Sequence, residues 1–108
     1  MKKLIFLLLT FFTTQAFAAW DAVTTGTIAQ IDVTSGNNYG FRISLKNSPQ
    51  LCANEHRWAY LNENDSNYNV YVSVLMAAKA ANQTVIVFTN RKDNSPTGFC
   101  HIGYIAVR

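Results

Sequence analysis

Residues 68–89 read YNVYVSVLMAAKAANQTVIVFT, and the point where helix gives way to strand within them decides the fold. Tyr68 to Met76 supports two readings. Val70, Val72 and Val74 alternate as they would on a strand. Leu75-Met76-Ala77-Ala78-Lys79-Ala80-Ala81, however, consists of strong helix formers. The pattern favours one helix over residues 67–81, with Asp65 or Ser66 suited to cap its start and Asn82 to end it. On such a helix Tyr68, Tyr71, Val72, Leu75 and Met76 form one apolar stripe. Val70, Val74, Ala78 and Ala81 form a second beside it, so the apolar arc is wider than a surface helix needs. Asn69, Ser73, Ala77 and Ala80 make a small, weakly polar face that suits water, a pore or a closely packed helix. Thr84 to Thr89, β-branched and apolar, is expected to be a strand buried on both sides.

Upstream, Thr24 to Val33 is rich in Thr, Ile and Val and reads as a strand. Ser35-Gly36-Asn37-Asn38 is a turn cluster. Phe41, Ile43 and Leu45 then alternate with Arg42, Ser44 and Lys46, the clearest period-2 pattern in the chain. Arg57 to Leu61 reads as a short third strand after a polar loop. Downstream, Arg91 to Gly98 is turn-rich and Phe99 to Val107 is a last strand. The expected fold is therefore mainly β with one helix, in the order β-β-β-α-β-β. That order is the arrangement of a five-stranded OB-fold barrel, and closing a barrel removes most unpaired edges from a short chain.

The N-terminus has the composition of an export signal. Lys2 and Lys3 precede the apolar run Leu4 to Leu9, with Phe11 and Phe12 beyond it, and Ala16-Phe17-Ala18 is a small–x–small cleavage triplet. The run is shorter than the roughly 20 residues of a membrane span. The expectation is a signal peptide over residues 1–18, cleaved near Ala18, and a single domain over 19–108; a retained N-terminal anchor is the other reading of the same stretch. Secretion or a periplasmic location follows, with no stable membrane span. Lys2 and Lys3 supply two of the net three positive charges, so no basic patch argues for nucleic acid. Cys52 and Cys100 are the two cysteines, and in an oxidising compartment they read as one disulfide. It would close a loop of about 49 residues, for which the chain-entropy model gives about 4 kcal/mol. Two cysteines and two histidines without close spacing give no metal site. The chain has no nucleophile elbow, no His-Glu-x-x-His and no phosphate-cradling glycine loop, so neither an enzyme nor a bound cofactor is expected. His101, next to Cys100, reads as structural. His56 sits beside Glu55, where Asp32 could approach it, but no motif places a nucleophile there.

Three stretches carry a family resemblance. They are Gln30-Ile31-Asp32, then Cys52-Ala53 followed by Trp58-Ala59, and then a helix through Leu75 and Ala78 into Asn82-Gln83-Thr84-Val85-Ile86-Val87. In this order they resemble the B subunits of the subtilase cytotoxin and typhoid toxin group, over about Gln30 to Val87. The segment before Gln30 is shorter than in those toxins, and part of their sugar site lies on that segment. The resemblance implies a secreted OB-fold subunit that assembles into a pentameric ring with its helices at the centre and binds a cell-surface glycan. An exported enzymatic A subunit is the implied partner beyond the homo-oligomer itself. On such a ring Tyr71, Val74, Leu75 and Ala78 fall at the oligomer interface.

Glycan recognition needs aromatic faces for sugar C–H surfaces and polar groups that fix orientation. Tyr39, Trp58 and Tyr60 are the aromatic candidates, with Asp32 and Arg42 as polar neighbours; Tyr104 and Glu55 are further candidates. Trp58 and Tyr60 share a face if their strand is regular. The competing assignment is core or interface filler, since a small barrel needs large side chains. A secreted or periplasmic protein-interaction module of the same fold, an inhibitor or assembly factor, is the second functional reading.

Overall fold

The computed structural model describes residues 19–108, and the expected signal peptide, 1–18, lies outside the described residues. Five strands and one helix follow one another as β1 (Ala22–Val33), β2 (Phe41–Leu45), β3 (Ala59–Leu61), α1 (Tyr68–Ala80), β4 (Thr84–Arg91) and β5 (Cys100–Val107), with a short 3-10 turn, Lys92–Asn94, before β5. The strands close into a barrel of order β1-β2-β3-β5-β4.

Closure is possible because β1 is long enough to serve two neighbours. Its first half, Ala22 to Thr27, pairs antiparallel with β4, and its second half, from Ile28, pairs with β2 across a bulge between Ile28 and Gln30. A bulge bends and twists its strand, which carries β1 from one neighbour to the other. The opposite seam is short: β3 and β5 run parallel with two register pairs, Ala59 with Cys100 and Tyr60 with His101.

The alternation expected for Phe41, Ile43 and Leu45 is present, all three buried to within 1% of full. They meet Ile28, Leu51, Ala59, Leu61, Val85, Val87 and Ile102 in one core. Helix α1 plugs this core with Leu75 and Ala78. The Cys52–Cys100 disulfide forms, with both cysteines fully buried, and ties the loop after β2 to the start of β5.

Four local expectations are corrected. The helix is capped by neither Asp65 nor Ser66. Asn67, at φ 60°, takes the N-cap position without a side-chain bond, because the Asp65 carboxylate is occupied by the Asn62 N–H and by His101. Strand β4 is not buried on both sides: Val85, Val87 and Thr89 point inward while Ile86 and Phe88 are half-buried. A barrel wall has one inner face, and the helix plugs the interior instead of covering the outside of β4. Strand β3 is shorter than expected and begins at Ala59, after Trp58. Leu75 and Ala78, expected at an oligomer interface, are 0% and 1% exposed within this one chain. Their spacing was equally that of an inward helix face. Tyr71 and Val74 are half-buried, Tyr71 packing against the core, and both line a groove of about 420 Å³ between α1 and β5. Beyond the helix, Asn82 has the left-handed backbone (φ 52°) that ends a helix.

Two substitutions test this core. Leu75→Ala should cost about 2–5 kcal/mol through the cavity it leaves under the helix. Cys52→Ser should cost about 2–5 kcal/mol. Urea unfolding of oxidised protein reads both, and a midpoint unchanged by Cys52→Ser would mean that the bridge does not hold the barrel.

Candidate functional site

The outer face of β2, β3 and β5 carries an aromatic cluster. In register, Arg42 stands opposite Tyr60, and Tyr60 opposite His101, so these three side chains share the outside while Ile43, Ala59 and Cys100 share the inside. Trp58, just before β3, lies 6.4 Å from the Tyr60 ring and 4.8 Å from Phe99. Tyr39, from the β1–β2 loop, sets its edge against Tyr60 at 4.7 Å and against Phe99 at 5.0 Å. His56 packs on Phe99 at 4.8 Å, and His101 lies 5.1 Å from Tyr60. Loops at both ends of the barrel thus fold their rings onto the short third strand.

Cations rim the cluster. The Arg42 guanidinium lies 4.6 Å from the centre of the Trp58 ring, a cation–π distance. Arg42 also donates from Nε to the Tyr39 carbonyl (2.7 Å) and from Nη2 to the Asn38 carbonyl (3.2 Å). Lys92 Nζ donates to the Tyr39 hydroxyl at 2.8 Å, bridging the β1–β2 and β4–β5 loops. That bond raises the Lys92 pKa. Tyr39 itself sits at φ 52°, a conformation that costs a non-glycine residue of order 1–3 kcal/mol. It is held there from both sides: its N–H donates to Asn62 Oδ1 at 2.8 Å while its carbonyl accepts from Arg42.

Each histidine anchors the face to a loop. His56 Nε2 lies 2.9 Å from the Thr97 carbonyl, and His101 Nε2 lies 2.8 Å from Asp65 Oδ2. Tyr60 is the most enclosed member, 3% exposed. Burial pushes its phenol up to about 12, with the nearby Tyr39 and Asp65 adding to the shift. The neutral phenol is therefore part of the folded face.

Of the residues singled out from sequence, the structure gathers Tyr39, Arg42, Trp58 and Tyr60 into this face. Trp58 is half-buried and stands outside the core cluster, so it is not barrel filler. Asp32 is exposed beside Arg42 in register, and its carboxylate is bound by Gln30 Nε2 at 2.8 and 3.0 Å. Glu55 is exposed 3.8 Å from His56. Tyr104 lies elsewhere, 54% exposed with its ring 4.8 Å from Phe88 on the outside of β4 and β5. Sequence reasoning missed Phe99, Lys92 and the placement of both histidines on this face. The one available signal was that Phe99 and His101 flank Cys100, and alternation puts both on the face opposite to the sulfur. Among the described residues no group of three or more His, Cys, Asp or Glu side chains converges to hold a metal ion, and no helix is long and apolar enough to cross a membrane.

Fold and face together define a small, disulfide-closed β-barrel with one plugging helix and an aromatic, cation-rimmed outer surface. Over residues 1–107 the chain matches the model of a family of unknown function, DUF5992, and it belongs to that family. No curated protein and no solved structure matches it.

The tyrosines of this face report on it directly. Of the five tyrosines, Tyr60 should ionise late, near pH 12, and Tyr60→Phe should remove that phase from a tyrosinate absorbance titration. Between pH 10 and 12 the folded chain keeps a proton on Tyr60 that the unfolded chain has lost. Stability should therefore fall through that window, by about 2–3 kcal/mol. Wild-type protein with no late-ionising tyrosine would show that Tyr60 is open to water.

Proposed function

We propose that the chain is a secreted or periplasmic OB-fold subunit, similar to toxin B subunits, that binds a cell-surface glycan on the aromatic face and assembles with copies of itself. The closed order β1-β2-β3-β5-β4 with the helix between β3 and β4 supports the OB-fold assignment. The observation that carries the binding role is the position of the cluster. It lies over β2 and β3, between the β1–β2 loop with Tyr39 and the β4–β5 loop with Lys92. This is where barrels of the OB-fold bind oligosaccharides and oligonucleotides. Trp58 and Tyr39 offer apolar ring surface for the C–H face of a sugar. Arg42 and Lys92 supply polar groups at the rim, already oriented by their bonds to the Tyr39 carbonyl and hydroxyl. Orientation before binding lowers its entropic cost. A buried disulfide fits an exported protein, and the export reading rests on the N-terminal composition together with this bridge.

A protein-interaction module is the second reading, and one observation favours it. Beside α1, Ile31, Val33, Phe41, Tyr68, Val72 and Met76 line an apolar groove of about 660 Å³. Val33 and Met76 there are 73% and 55% exposed. Such surface suits a protein neighbour, whether a second copy or an exported A subunit.

A glycan array probed with the oxidised protein separates the two readings. The lectin reading expects binding to a defined glycan set, weakened at least about tenfold by Trp58→Ala or Tyr39→Ala, the effect of losing one aromatic anchor. No binding to any glycan, with a monomer by light scattering at micromolar concentration, would sink both the lectin and the ring. No glycan binding with an intact oligomer would favour the interaction module.

A further inference from the structure

The second half of β1 has an open edge. Strand β4 covers β1 only as far as Thr27, which stands opposite Thr84. Beyond the bulge β1 pairs with β2 alone, Ile31 opposite Ile43, Asp32 opposite Arg42 and Val33 opposite Phe41. The Thr34 N–H donates to the Gly40 carbonyl at 2.7 Å, one step further along the same ladder. In an antiparallel ladder alternate residues bond the partner strand, and those between turn their N–H and C=O to the opposite edge. Thr34 and Asp32 therefore bond toward β2, while Ile31 and Val33 turn their backbone groups away from it. Among the described residues those groups meet no backbone partner.

This edge forms one wall of the groove beside α1. The Ile31 and Val33 side chains belong to the inner face, with Ile43 and Phe41 opposite them. Past the start of β4 that face opens to water, which leaves Val33 73% exposed. Tyr68, Val72, Met76 and Ala80 of the helix make the facing wall, and Lys79 is the single charged residue of the lining. Lys79 joins none of the ion pairs among the described residues.

We propose that an extended segment of another protein lies in this groove as a strand added to the edge of β1, with apolar side chains at alternate positions and a carboxylate set against Lys79. The proposal rests on the protein-interaction reading of the groove and is independent of the glycan face. Two N–H and two C=O groups in a row call for a backbone with free groups of its own. An extended strand has them, whereas a helix has spent its own internally. Alternation follows from the strand, since every second side chain of the added segment turns to the same side as Ile31 and Val33. The carboxylate follows from Lys79. A second copy docking through the same groove would bring an identical patch, and that patch holds a further Lys79 and no acid.

The test selects phage-displayed random heptapeptides on the oxidised protein, then measures the enriched sequences as synthetic peptides by fluorescence polarisation. The enriched set should alternate apolar residues and carry Asp or Glu. Val33→Pro removes one edge N–H and leaves the bonds of Asp32 to β2 in place, a substitution that an open edge tolerates. It should weaken binding at least about tenfold. Lys79→Glu is the second variant should Val33→Pro fail to fold, and it should turn the selection from acidic to basic peptides. Trp58→Ala should leave binding unchanged. No enrichment, or peptides bound equally by wild type and both edge variants, would overturn the added strand. If the wild-type protein then self-associates at micromolar concentration and Val33→Pro makes it a monomer, a second copy occupies the groove and the protein-interaction reading stands. Any other result of that light-scattering comparison would sink both.

Discussion

Closure of the barrel depends on the seam between β3 and β5. Every other neighbouring pair of strands shares at least three register pairs, whereas this one has two, in parallel, between a three-residue strand and the start of β5. Such a seam contributes few backbone hydrogen bonds, and parallel pairing is somewhat weaker per residue. The disulfide lies on it: Cys100 is itself one of the two β5 residues in register with β3, and its partner Cys52 comes from the loop that feeds β3. A covalent tie at the least hydrogen-bonded point lets a short strand close a barrel.

The aromatic face is a consequence of the same seam. Alternation along β5 sends Cys100 inward and Phe99 and His101 outward, while along β3 Ala59 and Leu61 go in and Tyr60 goes out. Because Cys100 is locked in register with Ala59, His101 is locked against Tyr60 and Phe99 against Trp58. The loops then complete the surface: Tyr39 arrives at positive φ from one, Lys92 from another, and one hydrogen bond joins them. Core and face are thus the two sides of one alternating register, and a perturbation of the bridge is a perturbation of the face.

Much of the architecture was legible because it is written in local patterns. The period-2 run at Phe41, Ile43 and Leu45, the alanine-rich end of the helix and Asn82 beyond it each depend on residues within a few positions of one another. The misreadings have one cause. Asp65 has the right chemistry for a cap, but His101, distant in sequence, takes its carboxylate. Leu75 and Ala78 have the right spacing for a contact with another subunit, but the same chain supplies the barrel they fill. Val85 and Val87 looked like half of a two-sided burial because a one-dimensional pattern does not say where the helix will lie.

Taken alone, the amino-acid order determined the number and kinds of elements, the pairing of the two cysteines and the candidacy of Tyr39, Arg42, Trp58 and Tyr60. Each of these follows from short-range periodicity, composition or a count of two. Tertiary structure alone decided that Phe99, His56, His101 and Lys92 join those four and that Tyr104 does not. These are contacts across dozens of residues, and they exist because a closed ring of strands leaves each side chain one inner or one outer position, with a neighbour set by register and not by sequence distance.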